Sequence, residues 1–164
     1  GFARGAKDEQ GIKIILKTAI TVIFFYGVLV TAALIVFRHI MVSLYTTDQL
    51  VLTIAAKLML FVAFYQIFDD LLAAFNGALR GFKDTFVPMV ISLISYWLVC
   101  LPIGYVLAEE AIAGSEPLGV YGYWSALTVG IFLSAACVGL RLYFTVSREL
   151  HHINTNKLSL AERA

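Results

Sequence analysis

The chain has 164 residues, 60% of them hydrophobic and only 14% charged, with a mean hydropathy of +0.86. A soluble domain is about 45–50% apolar and about 25% charged, so this composition excludes a chain bathed in water on all sides. The net charge of +1 comes without any dense basic cluster, which argues against nucleic acid as a partner.

Gly1–Asp8 reads as the exit of a preceding element, with Gly1 and Gly5 suited to close backbone approach. The chain is therefore expected to be the later part of a longer protein. Thr18–Phe37 follows, 20 residues without Asp, Glu, Lys or Arg, bounded by Lys17 and Arg38. At about 1.5 Å per residue, such a run covers the roughly 30 Å of a hydrocarbon core. Backbone groups in hydrocarbon must pair with one another, which makes the run a helix, expected over about 12–45. Thr46-Thr47-Asp48 breaks it, with Asp48 placed to cap the next helix.

The second run, Leu58–Leu79, is 22 residues long and lies in a helix expected over 49–79. Asp69 is its twelfth residue and Asp70 its neighbour. An ionised Asp at the bilayer centre costs about 2.5–3.5 kcal/mol on insertion scales, so an acid at that depth is a functional candidate. On a helix Asp69 shares a face with Tyr65, Gln66 and Asn76, while Asp70 lies about 100° further round, beside Gln66 and Gly77. This stripe of carboxylate, phenol and amides suits a coupling ion. Na⁺ prefers oxygen ligands, and a desolvated carboxyl can carry H⁺. Two adjacent acids cannot face one cavity in the same way, and periodicity alone does not choose between them. The competing reading is an aspartate that merely clamps two helices.

Gly77-Ala78-Leu79-Arg80-Gly81 ends the second helix, and a third run, Thr85–Ala108, is 24 residues long. Pro88 falls in its first turn. Pro102 falls deep inside it, where a missing N–H and the ring should kink the helix, making it a candidate hinge. The Gly114–Gly122 loop leads to a fourth run, Pro117–Leu140, in a span expected over 117–145, with Tyr121, Tyr123 and Trp124 as interfacial aromatics. Residues 147–164 lack apolar periodicity and are expected to be a frayed polar tail. The fold class is all-α integral membrane, with four transmembrane helices in residues 1–146.

Ten cations (Arg4, Lys7, Lys13, Lys17, Arg80, Lys83, Arg141, Arg148, Lys157, Arg163) fall on one face of this arrangement. Arg38 and Lys57 alone fall on the other. The positive-inside rule then puts both ends of the chain in the cytoplasm. Cys100 and Cys137 lie inside spans and read as small apolar residues. His39 reads as a solvated flank, His151-His152 lack partners at metal-ligand spacing, and Glu109, Glu110 and Glu116 read as a solvated outer loop. No catalytic constellation or cofactor motif stands out, so no enzyme and no cofactor is expected.

Tyr65-Gln66-Ile67-Phe68-Asp69, followed by Asn76-Gly77-Ala78-Leu79-Arg80-Gly81-Phe82-Lys83-Asp84-Thr85, resembles the multidrug and toxic compound extrusion (MATE) family in its NorM-like branch. Ser95-Tyr96-Trp97, Leu101-Pro102-Ile103-Gly104-Tyr105, Pro117-Leu118-Gly119 with Gly122-Tyr123-Trp124, and Gly139-Leu140-Arg141-Leu142-Tyr143 extend the resemblance along nearly the whole chain. It implies a twelve-helix transporter in two lobes, of which the four spans would be helices nine to twelve. It implies a bacterial inner-membrane antiporter that exports amphipathic or cationic drugs in exchange for Na⁺ or H⁺. Asp69 would be the coupling acid, with a transient Na⁺ as its only metal, and Tyr65 would neighbour it. Asp70, Gln66 and Asn76 would be further polar lining, and the missing N-terminal portion would be the chain's partner. The rival readings are a small non-transporting four-helix assembly protein and a flippase for a lipid-linked substrate.

Overall fold

The computed structural model describes residues 8–110 and 116–161, with side chains described as far as Thr155. Gly1–Lys7, most of the segment read as the exit of an earlier element, lies outside the described residues, as does the first part of the Gly114–Gly122 loop. Four long helices make up the rest: α1 (Glu9–Ser43), α2 (Gln49–Gly81), α3 (Phe86–Glu109) and α4 (Val120–Ala161). All four are long and apolar enough to cross a membrane. No strand occurs among the described residues.

Local chemistry sets the ends. Asp8 accepts from the Gly11 N–H at 3.0 Å and opens α1. Asp48 accepts from Leu50 and Val51 at 2.8 and 3.3 Å and opens α2, the capping role its place after Thr46-Thr47 predicts. At the far end of α2 the Asp84 N–H returns to the Leu79 carbonyl and the Lys83 N–H to that of Arg80, both at 3.0 Å. That crossed pair is a Schellman closure, with Lys83 in the left-handed position at φ 60°. Arg141 of α4 then grips the turn, its Nε donating to Asp84 Oδ2 at 2.7 Å.

The α1–α2 hairpin is tied by the Thr31 hydroxyl, which donates to the Ala63 carbonyl at 2.9 Å, and by Gly27, which lies against Asp70. In that register Lys17 comes level with Arg80, and Arg38 with Lys57. The charge-free bands of the two helices therefore coincide at both ends.

Helix α4 is the most buried of the four. It carries two ridges. Gly122, Ala126, Gly130 and Ser134 recur every fourth residue and face α3 at Ala108, Gly104, Cys100 and Ser92. Ile131, Ala135, Val138 and Leu142 pack against Leu72 and Leu79 of α2 to form the core. Without a hydrophobic driving force between helices in lipid, small residues that let backbones approach are what the first ridge needs. Phe25, Leu29, Val36, Trp97 and Leu98 point outward, as side chains facing acyl tails do.

Two expectations change. The break anticipated at Pro102 takes the form of a π-helical turn, Ser95–Cys100, just before it, with the Leu101 N–H reaching back to the Tyr96 carbonyl. Proline cannot donate to the carbonyl four residues back and its ring crowds that group, so the ladder slips by one residue ahead of it. The stretch from Ser147, expected to fray, continues α4 as helix to Ala161. Extending an existing helix fixes one residue per hydrogen bond gained, and Val146, Leu150 and Ile153 recur at helical spacing, with Ile153 buried, so a short apolar face continues past Ser147.

The loop into α4 depends on two glycines. Gly119 sits at φ +55°, and a Cβ on Gly122 would lie 2.6 Å from the Ala108 nitrogen and the Leu107 carbonyl carbon. Backbone cannot yield as a side-chain tip can. Gly122→Ala should therefore destabilise the protein by about 1–3 kcal/mol, the usual range for overpacking, read as a lower midpoint in detergent unfolding followed by tryptophan fluorescence.

Candidate functional site

Asp69 and Asp70 occupy neighbouring positions on α2 but face different helices. Asp70 turns towards α1. Its Oδ1 accepts from Gln66 Nε2 at 3.0 Å, and its Oδ2 is buried without a hydrogen-bond partner. That oxygen would lie 2.9 Å from a Cβ on Gly27, so only the bare α1 backbone leaves room for the carboxylate. Ala56, Ala63 and Asp70 recur every seventh residue along this seam. Gly27 is the tenth of the 20 residues in the charge-free run of α1. Asp70 is therefore opposite the middle of that run.

Asp69 points away from the seam, towards the face that carries Tyr65. It makes no hydrogen bond or ion pair among the described residues. The hydroxyl of Tyr96, in the π-helical turn of α3, lies within electrostatic reach of it. Tyr65 and Tyr96 bring their hydroxyls to 3.5 Å of each other, and both rings pack on the α2–α4 core. The result is a half-buried carboxylate beside two phenols, with oxygens that could contribute to a small cation or a proton path.

The predicted stripe is thus divided. Tyr65 stays with Asp69, whereas Gln66 is committed to Asp70. Asn76 lines a separate cavity of about 300 Å³ with Arg80, Asp84, Thr85 and Ser92, near the α2–α3 turn. Pro102 follows the widened turn and supplies no group to the carboxylates. Sequence reasoning gave no site role to Tyr96, although it noticed Ser95-Tyr96-Trp97. A phenol inside an otherwise apolar run was the available signal. Gly27 was missed altogether, since one glycine in an apolar run says nothing about what it faces. No group of three or more His, Cys, Asp and Glu comes together among the described residues.

Comparison with known proteins agrees with this architecture. A family profile described as MatE matches residues 1–106. The chain belongs to the MatE family. Similar proteins include the probable multidrug resistance protein NorM of Halalkalibacterium halodurans, 34% identical over 142 residues, which cover 87% of this chain and 30% of the relative. NorM of Vibrio vulnificus is 35% identical over 145 residues, covering 88% and 31%. NorM of Vibrio cholerae is 32% identical over 144 residues, covering 88% and 32%. The chain spans about a third of the length of these MatE relatives, and it is a multi-pass membrane protein of their family.

The Gly27–Asp70 contact can be tested through a double-mutant cycle. Gly27→Ala should cost about 1 kcal/mol in stability in the parent and much less in an Asp70→Ala background, giving a coupling of about 0.5–1 kcal/mol between touching residues. Unfolding midpoints of the four proteins in one detergent measure it.

Proposed function

We propose that this chain forms the C-terminal part of an antiporter that exports amphipathic or cationic drugs in exchange for Na⁺ or H⁺. Asp69 is the coupling group in this reading, with Tyr65 beside it. The observation that carries it is a carboxylate at mid-depth of an apolar band, engaged by no cation or donor of the described chain, while its neighbour Asp70 is absorbed into helix packing. A group so costly in lipid is retained where a mobile cation or proton can neutralise it. The names of the relatives, multidrug resistance proteins, support export as the task.

Ion binding does work only if it favours one conformation over another, since a ligand with equal affinity for both shifts nothing. Asp69 meets that requirement through its surroundings: Tyr96 lies on a different helix, in its least regular turn. Closing or opening that neighbourhood changes how many oxygens a cation meets. The remaining helices of the longer relatives supply the other lobe and the drug-binding surfaces.

The membrane is the bacterial inner membrane and the chain's ends are cytoplasmic in this proposal. The ten-to-two division of Lys and Arg supports the orientation, and the bacterial sources of the relatives support the membrane. The assembly-protein reading keeps a foothold only at Asp70, where the seam with Gly27 does clamp two helices. That contact accounts for Asp70 and leaves Asp69 unexplained.

In cells producing the intact transporter, Asp69→Asn should abolish dye and drug efflux, with expression and membrane insertion unchanged. Asp70→Asn should lower stability more than it lowers transport. Efflux that survives Asp69→Asn removes the coupling role. Efflux assays beside immunoblots of membrane fractions give both readings.

A further inference from the structure

A cleft of about 630 Å³ opens between α1 and α2 at the end of the hairpin away from Lys17 and Arg80. Arg38, His39, Ser43, Gln49, Thr53 and Lys57 make its polar wall. Leu52, Ala56 and Leu60 make its apolar wall. We propose that this cleft binds an anionic phospholipid, with the phosphate held between Arg38 and Lys57 and an acyl chain lying along the apolar wall.

Level and charge carry the inference. Arg38 is the first charge past the apolar run of α1, and Lys57 the last before that of α2. Moving seven residues on from Thr31 and six back from its partner Ala63 arrives at Arg38 and Lys57, so the antiparallel register sets them side by side. Both therefore stand at the edge of the hydrocarbon, the layer in which lipid phosphates lie. Neither makes an ion pair among the described residues. The Arg38 Nε donates only to the His39 ring, at 3.3 Å.

Asp48 is the sole acid between Glu9 and Asp69. It does not line the cleft, and its carboxylate receives the Leu50 and Val51 N–H groups. The hydroxyls of Ser43 and Thr53 are turned back onto the Ile40 and Gln49 carbonyls. The cleft thus presents two cations, one of them a partly buried guanidinium, with no counter-charge from the described chain. A guanidinium fork fits phosphate oxygens in pairs, and lysine adds a compact charge. Two cations disfavour the ammonium of a zwitterionic lipid. A free phosphate would satisfy the polar wall and leave the apolar one wet. This inference does not depend on the transport reading.

The test uses the intact protein in a neutral maltoside detergent, titrated with phosphatidylglycerol, phosphatidylcholine of the same chains, or inorganic phosphate. Thermal unfolding and native mass spectrometry are the readouts. Phosphatidylglycerol should raise the midpoint and remain bound, and the other two should do neither. Arg38→Gln combined with Lys57→Gln should weaken phosphatidylglycerol binding about 30-fold, following the usual contribution of two cations at an anionic surface. The charge-keeping pair Arg38→Lys with Lys57→Arg should retain binding, which separates lost charge from misfolding. An equal shift from inorganic phosphate, equal retention of phosphatidylcholine, or undiminished binding by the double glutamine variant overturns the proposal.

Discussion

Every backbone N–H and C=O within the hydrocarbon has to find its partner inside the same segment, because lipid offers none. That demand makes all four apolar runs helices and confines their charges to the ends, Asp69 and Asp70 excepted. It also gives register a meaning that it lacks in a soluble bundle. When Thr31 bonds to the Ala63 carbonyl, the charge-free bands of α1 and α2 come level at both margins. Sliding one helix by a turn would carry Lys17 or Arg38 into the apolar layer, at a cost of kilocalories per charge. The hairpin is held by a few small-residue contacts, and its alignment is enforced by the solvent.

The same alignment turns two adjacent aspartates into different objects. A step of about 100° around the helix separates them, and that step is the distance between facing α1 and facing the Tyr65–Tyr96 pair. Asp70 meets a glycine that leaves it room and a glutamine one turn back that donates to it. One of its oxygens still goes unmatched, so the seam is held closed by packing more than by polar satisfaction. Asp69 has phenols near it and no committed donor. Nothing in its immediate packing requires a carboxylate there, and that is the ground on which an exchangeable ligand is proposed for it.

How much of this was legible in the sequence depends on the range of the interaction involved. The four helices follow from composition, because a 20-residue charge-free run has few alternatives. Asp48 as a cap and the glycine-terminated end of α2 are local features and were readable in the same way. Pro102 announced a disturbance but not its form, since a kink and a widened turn both relieve the same clash. In the helical run from Ser147 to Ala161 the apolar face is carried by few residues, Leu150 and the buried Ile153 among polar neighbours, so its periodicity is weak in the sequence. Spacing grouped Gln66 and Asn76 with Asp69. The grouping ignored which helices lie opposite: Gln66 leans one residue round to Asp70, and Asn76 is two turns along, at the cavity beside Arg80 and Asp84.

The arrangement of stiff and soft contacts bears on how such a chain could move. Helices α3 and α4 are joined by a ridge in which Gly122 nearly touches the α3 backbone and the Ser92 and Ser134 hydroxyls meet at 3.1 Å. Close-packed backbones of this kind slide only at the cost of whole contacts. The α1–α2 pair is similarly locked at Gly27 and Thr31. Between the two pairs, the ends near Arg80 are bolted by Asp84–Arg141, and α2 packs on α4 through Leu72 and the Phe68–Phe132 ring pair, whereas the polar contact of α2 with α3 at this level is a long one, between Tyr65 and the π-helical turn. A turn with a slipped ladder has a nearby alternative hydrogen-bond register, which a regular turn does not have. That turn faces Tyr65, one helical turn from Asp69, so the coupling group proposed above sits next to the least regular backbone hydrogen bonding of the four helices.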